Sequence, residues 1–241
     1  METRESPSPC LLVSFHMTKG LFITGTGTGV GKTYVAAQIA RKLREAGLRV
    51  GVYKPVASGC EMRDGVLISP DALELWTAAG QPGTLKAVCP QNFAAPLAPH
   101  LAARAEGRRV DNELLRSGLE YWREASDVVL VEGAGGLMSP ISDDEYNADL
   151  AEEFGYPLVV VVANELGAIN ATLQTLIAAT TFRNGLDVAG IVLNTARNPV
   201  NDPSTDSNAD ELARRCVPPL LAIVENGGGF DREVNWATIS P

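Results

Sequence analysis

Along this chain, short unbroken apolar runs alternate with stretches in which apolar residues recur at helical spacing. Leu21-Phe22-Ile23-Thr24, Val128-Val129-Leu130-Val131, residues 158–162 and Ile191-Val192-Leu193 are continuous runs, as expected of strands buried on both faces. Residues 50–54, closed by Pro55, predict one more strand. After Lys32, the residues Val35, Ile39, Ala40 and Leu43 keep a helical period, and Gly47 supplies a left-handed stop. Further helices are predicted near residues 71–79, from an Asp111 N-cap through Leu114, Leu115, Leu119 and Trp122, at 147–154 and at 168–182. This alternation predicts an α/β fold: a doubly wound, mostly parallel sheet with helices on both faces and right-handed crossovers.

Other stretches carry less pattern. Residues 55–70 read as a polar loop, and 80–110, rich in Pro, Gly and Ala without period, as an insertion or irregular crossover. Residues 198–208 turn to Asn, Asp, Pro and Ser and predict a mobile surface loop, while the tail after Glu225 gives little signal. Residues 1–16, with Arg4, Ser6, Pro7, Ser8 and Pro9, run into Met17 and are expected to be a disordered extension or the trace of an upstream start. The remainder, 17–241, is expected to form one domain. No internal repeat is evident, which removes solenoid and fibrous architectures.

Composition narrows the partners. Acidic side chains outnumber basic ones by 29 to 20, a formal net charge of −9, which argues against broad nucleic-acid binding and against an anionic membrane surface. Any anion must therefore meet a local positive site. Cys10, Cys60, Cys89 and Cys216 are dispersed without a C-x-x-C pair, so neither a disulfide framework nor a zinc cluster is suggested, and a reducing cytoplasm fits. No apolar run approaches the roughly 18–20 residues of a membrane-spanning helix.

The first strand supplies such a site. It runs into Gly25-Thr26-Gly27-Thr28-Gly29-Val30-Gly31-Lys32-Thr33, which opens the first helix. Glycines there let backbone N–H groups surround phosphate oxygens, Lys32 reaches the terminal phosphates, Thr33 offers its hydroxyl to Mg²⁺, and the helix N-terminus adds positive potential. This predicts a phosphate loop and a P-loop NTPase type of fold. Thr26 stands where the usual pattern has its first glycine, and Gly25 lies one residue early, so the loop is expected to be one residue longer than usual. Glu132 closes a buried strand at the edge where open α/β sheets bind ligands, followed by Gly133-Ala134-Gly135-Gly136, a position suited to a Mg²⁺ ligand. Lys54 falls on the same edge. Asp71, taken alone, reads as an N-cap.

Three segments resemble the dethiobiotin synthetase family: residues 24–33, Tyr53-Lys54-Pro55-Val56-Ala57-Ser58-Gly59, and Val131-Glu132-Gly133-Ala134-Gly135-Gly136. Phe93-Ala94-Ala95-Pro96-Leu97-Ala98-Pro99-His100 and Leu166-Gly167-Ala168-Ile169-Asn170 extend the likeness over most of residues 18–195. The resemblance implies an ATP-dependent cyclo-ligase in which 7,8-diaminononanoate takes up CO₂ as a carbamate, ATP phosphorylates it, and the second amine closes a cyclic urea. It implies Thr28, Gly29, Val30, Gly31, Lys32, Thr33, Gly133, Ala134 and Gly135 around ATP. Thr33, Asp71 and Glu132 become Mg²⁺ ligands, Lys32 and Lys54 the catalytic lysines, and Ser58 a hydrogen-bond donor to substrate. It further implies that Asn194 reads adenine. Gly167, Ala168, Ile169 and Asn170 would bind the substrate carboxylate of a second subunit, in a homodimer with shared sites. His100 has no partner by spacing and reads as structural. Gly29 stands where some members carry an acidic residue, and residues 220–227 lack the family's Gly-x-Ile-Pro pattern.

Two rivals compete with this reading. A partition or cell-division type ATPase would carry a second lysine early in the loop, where this chain has Thr, Gly, Thr, Gly and Val at 26–30. An amido-ligase of the cobyrinate type would need a glutaminase domain for which no chain is expected to remain.

Overall fold

The computed structural model describes residues 18–195 and 202–240; the predicted extension at 1–16 lies outside them. The chain begins with β1 (Lys19–Gly25) and α1 (Lys32–Glu45), then β2 (Val50–Tyr53), β3 (Val56–Ala57), β4 (Glu61–Arg63) and β5 (Val66–Ile68). It continues through α2 (Pro70–Ala78), α3 (Leu85–Val88), β6 (Gln91–Asn92), α4 (Pro99–Ala105) and α5 (Asn112–Ala125). Next come β7 (Val128–Glu132), α6 (Asn147–Phe154), β8 (Leu158–Ala163), α7 (Ala168–Thr181), β9 (Val188–Asn194), α8 (Asn208–Arg215) and β10 (Leu220–Val224).

Six strands form one sheet in the order β10-β9-β8-β1-β7-β2, and every neighbouring pair is parallel. The continuous apolar runs are its inner strands: all five residues of β7 are buried, and Leu21, Phe22 and Ile23 of β1 have no exposed surface. From the central β1 the chain winds to β2 on one side and to β9 and β10 on the other. Because all strands point the same way, their C-terminal ends share one edge, and the residues that follow β1, β2 and β7 meet there.

The helices follow from the periodic stretches. α1 turns Val35, Ile39, Ala40 and Leu43 into the core and stops at Gly47, whose φ of 85° is left-handed. Asp111 caps α5 by accepting from Leu114 N at 3.0 Å. Asp71, in contrast, is not an N-cap: Ser69 caps α2, its Oγ accepting from Ala72 N at 3.2 Å, and Asp71 is left free for other partners.

The stretches of weak pattern hold more structure than expected. Residues 55–70 contain β3, which pairs with β6, and the antiparallel hairpin of β4 and β5, whose Met62 and Val66 are 68% and 60% exposed. Residues 80–110 contain α3, β6 and α4. Residues 203–206 form a 3-10 turn, and Asn208, predicted to lie in a surface loop, is buried at the start of α8; residues 196–201 lie outside the described residues. Two- and three-residue strands are too short to show a period, and polar side chains bonded to backbone leave no hydrophobic signature. Among the described residues no helix is long and apolar enough to cross a membrane.

Candidate active site

The phosphate loop connects β1 to α1 through two left-handed glycines, Gly29 (φ 78°) and Gly31 (φ 88°). A Cβ on Gly27 or Gly29 would meet nothing within 4 Å, so the loop's inner face is an open cradle edged by backbone. A Cβ on Gly136, across from it, would lie 3.3 Å from the Gly25 carbonyl, so a side chain there would push the loop after β7 away by a few tenths of an ångström. Lys32 folds over the cradle and donates to Gly27 O at 2.9 Å. Burial pushes its ammonium down to about 8, Lys54 adding to the fall while Glu132 and Asp71 oppose it.

Beside the cradle lies an ionic cluster. Glu132, buried at the end of β7, accepts on Oε1 from Lys54 Nζ at 2.6 Å and from Thr33 Oγ1 at 2.9 Å. Lys54 Nζ also pairs with Asp71 Oδ2 at 2.9 Å. Lys54 is 3% exposed, and burial works against its charge, but the carboxylates of Glu132 and Asp71 outweigh it and hold the proton more tightly than in water. The Lys54 charge in turn draws the Asp71 carboxyl below its ordinary range, against burial and with hydrogen bonds from Lys54 and Thr33. Glu132 Oε2 is buried without a hydrogen-bond partner. Such an atom is costly unless a cation or donor meets it.

These groups line a cavity of about 610 Å³. Thr28, Gly29, Gly31, Lys32 and Thr33 form one wall; Lys54, Ser58, Asp71 and Glu132 form the floor; Ala134, Gly135 and Ser139 come from the loop after β7, and Pro96–Pro99 from the segment before α4. Val30 is not a wall residue but a buried packing contact. Gly133 lies behind the loop, where a Cβ would sit 2.8 Å from Asn147 Oδ1. Asn194 does not border the cavity; it is buried, and its Nδ2 donates to Val30 O at 2.9 Å, bracing the phosphate loop and leaving its side-chain Oδ1 for other partners. Gly167, Ala168, Ile169 and Asn170 do not border the cavity; Gly167, with φ of 101°, opens α7 without a side-chain cap. His100 keeps a buried Nδ1 without a partner and does not border the cavity either.

Two contributors had not been predicted. Asn147, 2% exposed, donates to Ala134 O at 2.7 Å and Gly136 O at 2.8 Å and accepts from Ala134 N at 3.1 Å, giving the glycine-rich loop its shape. Ser139 accepts from Gly136 N at 2.8 Å. An asparagine opening a helix looks like an ordinary end residue in sequence; only the fold turns it toward the loop.

A family model described as an AAA domain matches residues 19–233. The chain is 47% identical over 219 residues to the ATP-dependent dethiobiotin synthetase BioD of Rhodopirellula baltica, covering 86% of this chain and 84% of that protein. It is 45% identical over 206 residues to the protein of the same name from Anaeromyxobacter dehalogenans, covering 86% and 89%. The chain belongs to the dethiobiotin synthetase family. Among solved structures, that of a ParA family ATPase from Chlorobium tepidum TLS superposes with a TM-score of 0.51 at 16% identity, covering 87% of this chain and 84% of that one. At that identity the likeness extends to the fold alone, the α/β sheet of P-loop NTPases. Within the dethiobiotin synthetase family frame, the segments holding Lys32, Lys54 and Glu132 are those that meet at the cavity.

Proposed function

We propose that this chain is an ATP-dependent ligase of biotin biosynthesis, closing a cyclic urea on 7,8-diaminononanoate with CO₂ and ATP to give dethiobiotin, ADP and phosphate. The observation that carries this reading is the cavity in which a phosphate cradle meets a buried ammonium on two carboxylates, in a chain 47% identical to a dethiobiotin synthetase.

The chemistry divides into three steps. One amine adds to CO₂ with loss of a proton, giving a carbamate. A carbamate oxygen attacks the γ-phosphorus of ATP, and ADP leaves. The second amine then attacks the carbamoyl carbon, the C–O bond breaks, and phosphate departs. Negative charge accumulates throughout at the cradle, so fixed positive groups lower the barrier. Lys32 and Lys54 supply them. Because Lys54 holds its proton tightly, it acts as a charge and hydrogen-bond donor and not as a base or nucleophile. Ser58, on the cavity floor, is assigned to the substrate.

Thr33, Asp71 and Glu132 suit Mg²⁺. They offer a hydroxyl and two carboxylates, hard oxygen donors, and the unpartnered Glu132 Oε2 is an acceptor that a cation would satisfy. Among the described residues no cluster of three His, Cys, Asp or Glu could hold a metal by itself, consistent with an ion whose remaining ligands come from phosphate and water. When bound, Mg²⁺ neutralises charge on the β- and γ-phosphates.

We assign adenine recognition to Asn194 and the diamine carboxylate to Gly167–Asn170 of a second subunit. The helix there starts with no cap and no acidic residue in its first turn, which favours an anion. Leu166 before α7 and Ile177 within it are exposed, and Met138 borders a hollow with Ala171 and Gln174 of that helix, apolar surface that another copy would cover. We place the enzyme in the cytoplasm, in accord with its three free described cysteines.

The test is phosphate release from protein, Mg-ATP and bicarbonate, with and without diaminononanoate. Stimulation by that diamine together with a cyclic-urea product supports the assignment; stimulation only by another acceptor overturns it.

A further inference from the structure

We propose that Asn208 and Asn164 are positioning residues for the diamine carboxylate, fixing the start of α7 within its own subunit so that it is presented correctly to the partner's site. This rests on the reading above, in which that helix start serves the site of the other subunit.

Three residues, Asn164, Glu165 and Leu166, connect β8 to Gly167. Their side chains do not hold them by hydrophobic burial: Glu165 is exposed and Leu166 is 82% exposed. The connection is pinned instead by polar groups from elsewhere in the chain. Asn208 Nδ2 donates to Asn164 Oδ1 at 2.9 Å and to Glu165 O at 3.1 Å. Asn164 N donates to Asn194 O at 2.9 Å, and its side-chain amide to Thr195 Oγ1 at 3.3 Å. Leu166 N donates to Asp202 Oδ2 at 2.8 Å. Asn208 is 2% exposed, so the donor at the centre of this arrangement is shielded from competing water.

The same polar chain reaches the nucleotide side. Asn194, whose carbonyl receives Asn164 N, donates through its side chain to Val30 O of the phosphate loop. The start of α7 is thereby held at a fixed position within its own subunit. A carboxylate bound at that helix start belongs to a substrate whose amines lie at the partner's phosphate loop, so a helix start that shifts within its own subunit loses its hold on the carboxylate, and the error appears first as lost diamine affinity. Burial of Asn208 has a plain structural use as well. What marks the positioning role is that its donors end on an exposed connection and not on core elements.

The test is steady-state kinetics on the full-length protein. Asn208→Ala is expected to raise the KM for diaminononanoate about tenfold while kcat and the KM for ATP stay within about twofold. Asn208→Asp, which keeps the shape but removes the N–H donor, is expected to match it. Asn164→Ala breaks the same bond from a half-buried position and serves should Asn208 variants fold poorly. Mixing Asn208→Ala with an excess of Lys54→Gln subunits is then expected to bring out a kinetic component with the wild-type diamine KM, because the mixed dimer has one site combining an intact lysine with an intact α7 start. A dimer in which neither Asn208→Ala nor Asn164→Ala changes the diamine KM, or in which kcat and both KM values change together, overturns the positioning role alone. A chain that sediments as a monomer, or a KM that stays high on mixing, overturns the shared-site reading beneath it.

Discussion

The two sides of the phosphate loop are built from different materials. Toward β7 and β2 lie formal charges: Lys54 between Glu132 and Asp71, with Thr33 on the same carboxylate oxygen. Toward β9 and β10 lie neutral groups bonded to backbone carbonyls: Asn194 on Val30, Asn208 on Glu165, and Tyr34 Oη and Gln38 Nε2 of α1 on Gly228 at 2.6 and 3.1 Å. Charge is placed where charge must be transferred. Amides and hydroxyls, which lose little when shielded and hold geometry well, are placed where a helix start or a loop must keep its position.

The sharpest way to break the contrast is to neutralise the charged side. Lys54→Gln removes the ammonium that two carboxylates share, and turnover is expected to fall by at least about a thousandfold with near-native circular dichroism; near-normal turnover would refute the role given to Lys54. A pH series probes the other lysine. With the Lys32 pKa near 8, the ammonium is charged below that value and lost above it. The kcat/KM for ATP is expected to fall about tenfold for each pH unit above 8 before substrate binding shifts the group. A profile flat to pH 10 would contradict this.

On the neutral side the effects are smaller. Asn194→Ala frees the buried Val30 carbonyl, at a cost of about 1–3 kcal/mol, and is expected to raise the ATP KM several-fold more than it lowers kcat. Tyr34→Phe loses one of two donors to Gly228, worth about 0.5–1.5 kcal/mol, and is expected to lower Tm slightly with activity nearly intact. A Tyr34→Phe loss as large as that of Lys54→Gln would erase the distinction between the two sides.

The same contrast governs what could be read from sequence. The inner strands and α1, α5, α6 and α7 were legible because burial of apolar side chains imposes a period. The phosphate loop and Glu132 were legible because glycine spacing and a charge ending an apolar run are local signals. Lys54 and Asp71 needed the family resemblance, since their pairing crosses from the end of β2 to the start of α2. Asp71 read alone suggested a cap, a task that Ser69 performs. Asn147, Asn164 and Asn208 gave no signal: each works through backbone groups distant in sequence, and an asparagine near a helix start looks ordinary. The hairpin of β4 and β5 was missed because three-residue strands with mostly exposed side chains carry no alternation long enough to detect.

That hairpin leaves the cavity floor just after Ser58 and returns just before Asp71, with its turn at Asp64-Gly65 in left-handed backbone. Its tip is exposed and bears no core packing, the kind of site that tolerates added mass. A fluorophore on a cysteine introduced at Asp64 would ride on a hairpin whose two ends join residues of the cavity lining, and would turn ligand-linked movement of those ends into an optical signal.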